Sequence, residues 1–163
     1  MENGVNDVQV QAAKAREVLG EILRRMGIEA TIETRDEGDK TVLDVKGADA
    51  ALVIGKKGQT LEALQFLLAK IIYKGKEGDP TVRSIVVDAE GYRARRESAL
   101  IEMAHRLGDK VKATGRPITV NQMSPQERRI IHMTLDKVAG VTTRSEGEGV
   151  DRRLLIVPAP DKA

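Results

Sequence analysis

The tetrapeptide Gly55-Lys56-Lys57-Gly58 has the composition of a site for a phosphodiester chain. Glycine has no Cβ, so a ligand backbone can come close to it. Unpaired amides at the start of the helix that follows, together with the two lysine charges, favour a bound phosphate. The same four residues can also form an ordinary turn between helices with solvated lysines. The sequence contains neither a Walker phosphate loop nor a Gly-x-Gly-x-x-Gly dinucleotide motif.

A second candidate site contains Arg128, Arg129 and His132. Arg128 and His132 are four residues apart, which places them on one face of a helix. A guanidinium and an imidazole side by side can grip one phosphate, or a phosphate and a base together, and Arg129 can share this role. Because strand residues two apart share a face, three further arginines can extend a basic track beside the helix, namely Arg144, Arg152 and Arg153. The alternative is a solvated arginine surface with a partly buried histidine.

Composition excludes several kinds of site. The 163 residues include no cysteine, which excludes a disulfide framework, a thiolate metal site and a cysteine nucleophile. The two histidines, His105 and His132, cannot by themselves supply a three-ligand catalytic zinc site, and a carboxylate-only site for Mg²⁺ stays open. We predict no cofactor and no metal site.

Charge and hydropathy bear on partners and location. Residues 1–89 hold 13 basic and 15 acidic side chains, whereas residues 90–163 hold 14 and 10. The second half is therefore the more electropositive, and phosphate binding in the first half needs a local device. No apolar run approaches the roughly 18 residues that span a bilayer, and the first residues lack the order of a signal peptide. We predict a cytoplasmic protein without direct membrane insertion.

The first half of the chain must position residues 55–58. Apolar spacing of three and four predicts helices, and alternation near two predicts strands. The predicted elements are a helix over 8–26 stopped by Gly27, a hairpin of strands over 28–33 and 42–45, a short apolar segment over 48–54, a helix over 61–72 and a strand over 82–87. On the helix over 61–72 the apolar face includes Leu67 and Ile71, and Phe66 and Tyr73 are expected to pack in the core. The order is αββααβ.

The second half must position Arg128 and His132. The predicted elements are a helix over 92–113, an extended piece over 116–120, a helix from Ser124 to residue 139 stopped by Gly140, and strands over 141–145 and 152–157. Ser124 begins a capping box with Glu127, and Pro125 suits the first helical position. The boundary between the halves is predicted near residues 88–91, and we expect Tyr92 to pack at this junction.

Two groups of residues near the ends of the second half carry smaller expectations. We expect the arginines that open the helix over 92–113 to interact with acidic neighbours rather than with a ligand; these are Arg93, Arg95 and Arg96. We also expect residues 161–163 to fray, as chain termini commonly do.

Residues 8–89 resemble a KH (K-homology) domain of the bacterial kind, type II, with residues 52–65 as the fingerprint. In KH domains a Gly-x-x-Gly loop between helices clamps about four nucleotides. The resemblance implies that Gly55, Lys56, Lys57 and Gly58 contact a nucleic-acid backbone.

Residues 90–158 resemble the small α/β domain that is named for its Arg-x-x-x-His motif, the R-three-H domain, which binds single-stranded nucleic acid. The motif falls on Arg128 and His132, and its flanks are residues 122–125, 143–147 and 152–158. A KH domain followed directly by this domain resembles the Jag family of bacterial proteins, also called KhpB or EloR. Many members begin with a further small domain and a linker, whereas this sequence starts close to its first predicted helix.

The resemblance implies an α+β protein that binds single-stranded RNA and affects gene expression, cell elongation and division. It also implies pairing with a small stand-alone KH-domain protein, and single-stranded DNA stays open as a second ligand. Because the chain has only three aromatic residues, we expect weak base preference.

Two other functions stay open. A protein-interaction scaffold could dock another KH protein through the helix over 61–72 or through a sheet edge. A phosphodiesterase could use His132 as an acid or base beside Glu127 or Asp136. The sequence offers no second histidine nearby, no acidic metal cluster and no nucleophile motif, so we predict that the protein is not an enzyme.

Overall fold

The computed structural model describes residues 2–76, 82–120 and 123–159, with side chains throughout these ranges except at residues 2–7 and 150. The chain divides into two units, Met1–Arg93 and Ala94–Ala163. Two hydrophobic cores and two three-stranded sheets are present in the described part of the chain. This is the α+β class that the sequence predicts. The expected fraying of residues 161–163 lies outside the described residues.

The first unit follows the predicted order αββααβ. Its elements are α1 (Glu2–Arg25), β1 (Thr31–Asp36), β2 (Lys40–Lys46), α2 (Ala50–Ile54), α3 (Gln59–Ile72) and β3 (Ser84–Ala89). The sheet has the order β1-β2-β3, with β1 antiparallel and β3 parallel to β2. Val45 on β2 pairs with Ile32 on β1 and Ala89 on β3, and all three side chains belong to the core that α1 and α3 cover.

Strand β1 begins at Thr31, so the predicted start at residue 28 is wrong. The residues before it close helix α1 instead. Gly27, at a φ of 72°, donates its N–H to the Arg24 carbonyl, and Ile28 donates to the Leu23 carbonyl. This pair of bonds is a Schellman motif. The buried Ile28 side chain packs at the helix end, which explains why its apolar character resembled the start of a strand.

Helix α3 buries a narrower stripe than predicted. Its buried residues have three- and four-residue spacing and are Leu61, Leu64, Leu68 and Ile72. Phe66 is 61% exposed, Leu67 49% and Ile71 46%, so the expectation that Phe66 packs in the core is wrong. A helix advances about 100° per residue, so Phe66 points well away from Leu64. Tyr73 and Tyr92 do pack against the first core.

The second unit contains α4 (Tyr92–Thr114), of which the first two residues belong to the first unit, β4 (Ile118–Val120), α5 (Pro125–Leu135), β5 (Val141–Glu146) and β6 (Arg153–Pro158). The sheet has the order β4-β6-β5, and both pairings are antiparallel. Gly108 lies inside α4, where a Cβ would come 2.9 Å from Leu135 Cδ2. The missing side chain therefore allows α4 and α5 to pack closely.

Helix α5 ends at Leu135, so the predicted end at residue 139 is wrong. Val138 donates its N–H to the Leu135 carbonyl in a tighter turn, and its side chain packs on the second core. Gly140, at a φ of 83°, then leads into β5. Helix α5 ends before residue 139 because the Val138 side chain packs against the second core before β5 begins.

Candidate nucleic-acid interface

Residues 55–58, here called the glycine loop, join α2 to α3. Gly55 caps the carboxyl end of α2 and has a φ of 68°, and Lys57 and Gly58 have φ values of 53° and 80°. Lys57 is thus in a left-handed conformation that few residues other than glycine adopt. The side chains of Lys56 and Lys57 are exposed. The loop therefore presents two positive charges at the start of α3.

Packing within the first unit requires both glycines of this loop. A Cβ on Gly55 would lie 2.8 Å from Thr60 Cβ, and a Cβ on Gly58 would lie 2.8 Å from Tyr92 Cε1. Gly58 is itself buried. The sequence suggested room for a ligand as the reason for the glycines, and it did not indicate that Thr60 and Tyr92 constrain them.

The amino-terminal end of α3 adds to the positive character of the glycine loop. The helix has 14 residues, and the residue at its N-cap, Gly58, has no side chain to accept hydrogen bonds from the first amides. The amide dipoles of the first turn point toward the loop and favour an anion there. Lysine charges and helix dipole therefore act in the same direction.

The second site is built on a firmly held helix start. Ser124 Oγ accepts the Glu127 N–H at 3.2 Å, and Glu127 Oε2 accepts the Ser124 N–H at 2.9 Å, which completes the predicted capping box. Arg96 from α4 donates to Glu127 Oε1 through Nε at 2.7 Å and through Nη2 at 2.6 Å. The Glu127 side chain is largely buried, and this ion pair connects α5 to α4.

Arg128 and His132 are each held by a hydrogen bond. Arg128 Nη1 donates to the Met123 carbonyl at 2.8 Å, which leaves further guanidinium N–H groups to meet a ligand. His132 Nδ1 lies 2.5 Å from Thr143 Oγ1 on β5, and the ring is exposed. These bonds orient both groups without covering them.

A cavity of about 430 Å³, here called the basic cavity, brings together five of the predicted site residues. They are Arg128, Arg129, His132, Arg144 and Arg152. The remaining lining residues are Pro125, Thr143, Ser145 and Leu154, so none of the described residues that line the cavity carries a carboxylate. Arg144 Nε pairs with Glu146 Oε1 at 2.8 Å, which partly offsets its charge. The arrangement fits one or more phosphate groups.

Several other predicted residues fall elsewhere. Arg153 pairs in register with Glu146 and does not line the basic cavity. Arg96 binds an acidic neighbour as expected, whereas Arg93 donates through Nε to the Val87 carbonyl at 2.8 Å. Thr143, which contacts His132, was not singled out as a site residue, although it lies in the flank 143–147 of the Arg-x-x-x-His motif.

Tyr73 has a structural role. Its hydroxyl accepts the Ile85 N–H at 2.6 Å and donates to the Arg83 carbonyl at 3.2 Å. Burial raises the pKa of the Tyr73 phenol, and the bond from Ile85 partly opposes that rise. The neutral phenol therefore hydrogen-bonds the backbone of β3 and of the residue before it, rather than a ligand.

Residues 2–76, 82–120 and 123–159 contain neither a metal-ligand cluster nor a membrane-spanning helix. No group of three or more His, Cys, Asp or Glu side chains in those ranges is arranged to hold a metal ion. None of the helices within them is both long and apolar enough to cross a bilayer.

Comparison with family models defines the class of the protein. The model of the KhpA/KhpB KH domain matches residues 12–86, and the model of the R-three-H domain matches residues 98–158. Fold and sequence thus agree on a KH domain followed by an R-three-H domain.

Curated relatives define the family. The chain is 35% identical over 145 residues to RNA-binding protein KhpB of Clostridium symbiosum, a match that covers 88% of this chain and 64% of that protein. It is 42% identical over 128 residues to RNA-binding protein KhpB of Bacillus subtilis, covering 76% of this chain and 59% of that protein. With KhpB of Streptococcus pneumoniae it shares 26% identity over 150 residues, and it spans 45% of that relative's length. The chain belongs to the Jag (KhpB) family.

Proposed function

We propose that this chain binds single-stranded RNA through two modules, residues 8–89 and residues 90–158. The observation that carries the proposal is the basic cavity, where four arginines and His132 line one concave surface and none of the described lining residues carries a carboxylate. Such a surface suits the phosphates of a flexible single strand, because arginine binds phosphate in a bidentate manner. The names of the curated relatives support RNA as the polymer.

The glycine loop is the second binding site in this proposal. Gly55, Lys56, Lys57 and Gly58 present lysine charge and a helix amino terminus to the sugar–phosphate backbone. Phosphate contacts supply affinity and carry little sequence information. Two modules in one chain raise avidity when both engage one strand, because the second contact becomes intramolecular.

The proposed role is regulation rather than catalysis. We propose a post-transcriptional regulator in the cytoplasm, linked to cell elongation and division, as family membership supports. A nuclease that used Glu127 to orient His132 would need that carboxylate free. Glu127 instead serves the capping box and Arg96, and His132 bonds Thr143. The neighbouring groups therefore favour binding over phosphodiester cleavage.

The test is fluorescence anisotropy with a labelled single-stranded RNA at several salt concentrations. We expect log affinity to fall with log salt by about 0.7 per neutralised phosphate. The double variant R128A with H132A should bind roughly tenfold more weakly, a difference of about 1.4 kcal/mol. The matched control is H105A with R116A, two exposed residues of the second unit outside the basic cavity, which should bind like the wild type.

Three outcomes decide the proposal. Absence of binding at low salt would remove it, as would equal losses in the two double variants. Cleavage of the RNA during incubation with Mg²⁺ would replace the regulator with a nuclease. A single-stranded DNA of the same sequence, measured in parallel, separates RNA from DNA as the ligand.

A second function is favoured by the exposed α3 face, defined as Phe66, Leu67 and Ile71. These side chains are 61%, 49% and 46% exposed on one helix, and Lys70 Nζ lies 5.5 Å from the centre of the Phe66 ring. Adjacent exposed apolar side chains of this size mark an interaction surface. We propose that this face binds a small stand-alone KH-domain protein.

The partner proposal is tested by size-exclusion chromatography with light scattering on a mixture of the two purified proteins. The wild type should form a complex, and Phe66→Glu should abolish it. Val10→Glu is the matched control, because Val10 is also 61% exposed but lies on α1. A complex that survives Phe66→Glu would show that the partner binds elsewhere.

A further inference from the structure

A second concave surface lies on the neighbouring side of α5 and is here called the α4–α5 groove. Its volume is about 370 Å³. Ile101 from α4 and Ile130 and Met133 from α5 provide the apolar lining, and Ile101 and Met133 are 36% and 51% exposed. Large apolar side chains that remain exposed between two mostly polar helices indicate a surface that binds a ligand.

Arg129 connects the groove to the basic cavity, because it lines both. An α-helix turns about 100° per residue. Around the axis of α5, Arg129 therefore lies about 100° from Arg128, and Met133 lies about 140° from Arg128 in the same direction. Arg129 is therefore intermediate between the phosphate-binding face and the apolar face. A strand with a phosphate on Arg128 reaches the groove by crossing Arg129.

The charged residues at the groove fit a nucleotide rather than an apolar peptide. Arg129 and Lys137 place positive charge beside the apolar lining, where phosphates on either side of an inserted base would lie. Glu97 and Gln126 supply hydrogen-bonding groups for a base edge. Methionine sulfur packs favourably against aromatic rings, and aliphatic side chains accept a base face.

We propose that the α4–α5 groove is a nucleobase subsite, which takes one base of the single-stranded RNA whose phosphates occupy the basic cavity. The inference rests on the proposed RNA-binding function. It supplies what the basic cavity lacks, since His132 has the only aromatic ring among the described residues that line that cavity. Unpaired RNA can turn a base away from its own backbone into such a site.

The experiment compares an RNA oligonucleotide with a ribose–phosphate chain of the same length that carries no bases. The double variant I101Q with M133Q keeps the charge of the groove and removes its apolar lining. We expect its affinity for the RNA to fall three- to fivefold, by about 0.7 to 1 kcal/mol. Its affinity for the chain without bases should be unchanged, because that chain makes only phosphate and sugar contacts. The matched control, V10Q with M26Q, alters exposed apolar residues of α1 and its end and should bind both chains like the wild type.

The outcomes separate this inference from the proposed function. Failure of the wild-type protein to bind either chain would overturn both. Binding of both chains, with no RNA-specific loss in I101Q with M133Q, would overturn the nucleobase subsite and leave the basic cavity intact.

A second measurement uses the wild-type protein and does not depend on whether I101Q with M133Q folds. In protein labelled with ¹³C at the methionine methyl groups, the Met133 resonance is assigned with Met133→Leu and followed during titration. A base against the thioether should shift this resonance through the ring current of the base, whereas the chain without bases should leave it in place. An unmoved resonance with RNA bound would overturn the proposal.

Discussion

The glycine loop and the basic cavity present positive charge in two different ways. In the loop, backbone conformation does the positioning, and the side chains of Lys56 and Lys57 extend into solvent. In the cavity, side chains do the positioning, since Arg128 bonds the Met123 carbonyl and His132 bonds Thr143. The difference predicts which residues carry stability and which carry only affinity.

The basic cavity depends on a network of side chains that do not line it. Glu127 holds the start of α5 and pairs with Arg96, so a single carboxylate connects the capping box to α4. The glycine loop depends on two positions where any side chain would collide with Thr60 or Tyr92. At both candidate sites, the positions of the proposed binding residues are therefore fixed by neighbouring side chains outside the site.

The largest expected effect tests the network under the basic cavity. Glu127→Ala removes the capping box and leaves the Arg96 guanidinium without its partner in a partly buried position. We expect a loss of about 3 kcal/mol in the free energy of unfolding. Urea denaturation followed by circular dichroism measures it. Glu102→Ala, on the exposed side of α4, should change stability by less than about 0.5 kcal/mol, and equal losses would contradict the network.

The next effect tests the glycine loop. Gly58→Ala places a methyl group against the Tyr92 ring at a φ of 80° and should cost about 2 kcal/mol of stability. Gly75→Ala has a similar φ of 76° with no atom within 4 Å, so it isolates the backbone cost of about 1 kcal/mol. The difference between the two midpoints in urea measures the contact with Tyr92. Identical midpoints would mean that Tyr92 does not constrain the loop.

The smallest effect on stability is expected at the two lysines of the glycine loop, where affinity and stability should separate most clearly. Lys56→Asp with Lys57→Asp should change stability by less than about 0.5 kcal/mol, because exposed charges contribute little and aspartate tolerates the left-handed conformation of Lys57. Affinity for single-stranded RNA should nevertheless fall about fivefold, by roughly 1 kcal/mol. Anisotropy and urea denaturation are measured on the same samples. The control K14D with K74D makes the same charge change at exposed positions outside the loop and should bind normally. Unfolding of the loop variant would show instead that the lysines are structural.

Secondary structure was predictable wherever local chemistry decided it. The αββααβ order and the capping box at Ser124 are confirmed, because apolar spacing and cap residues act within a few positions along the chain. Element ends were less predictable. The start of β1 and the end of α5 were predicted wrongly, because Ile28 closes a helix and Val138 turns into a core.

The site was predictable as a set of residue types rather than as a surface. Four-residue spacing places Arg128 and His132 together, and the cavity that contains them also contains Arg144 and Arg152. Arg153, the next residue along the chain, does not line it. Arg153 begins β6 and pairs with Glu146 on β5, whereas Arg152 precedes the strand, so which of the two consecutive arginines lines the cavity depends on where β6 begins.

The amino-acid sequence by itself determined the two domain types, the glycine loop and the arginine–histidine pair, because these depend on residue identity at short spacing. Only the tertiary structure decided that Phe66 lies on the surface, that Glu127 supports α5 through Arg96, and that Arg129 lies between two concave surfaces. The physical reason is that exposure and contact depend on what packs against each face of a helix. Those neighbours come from elements far along the chain.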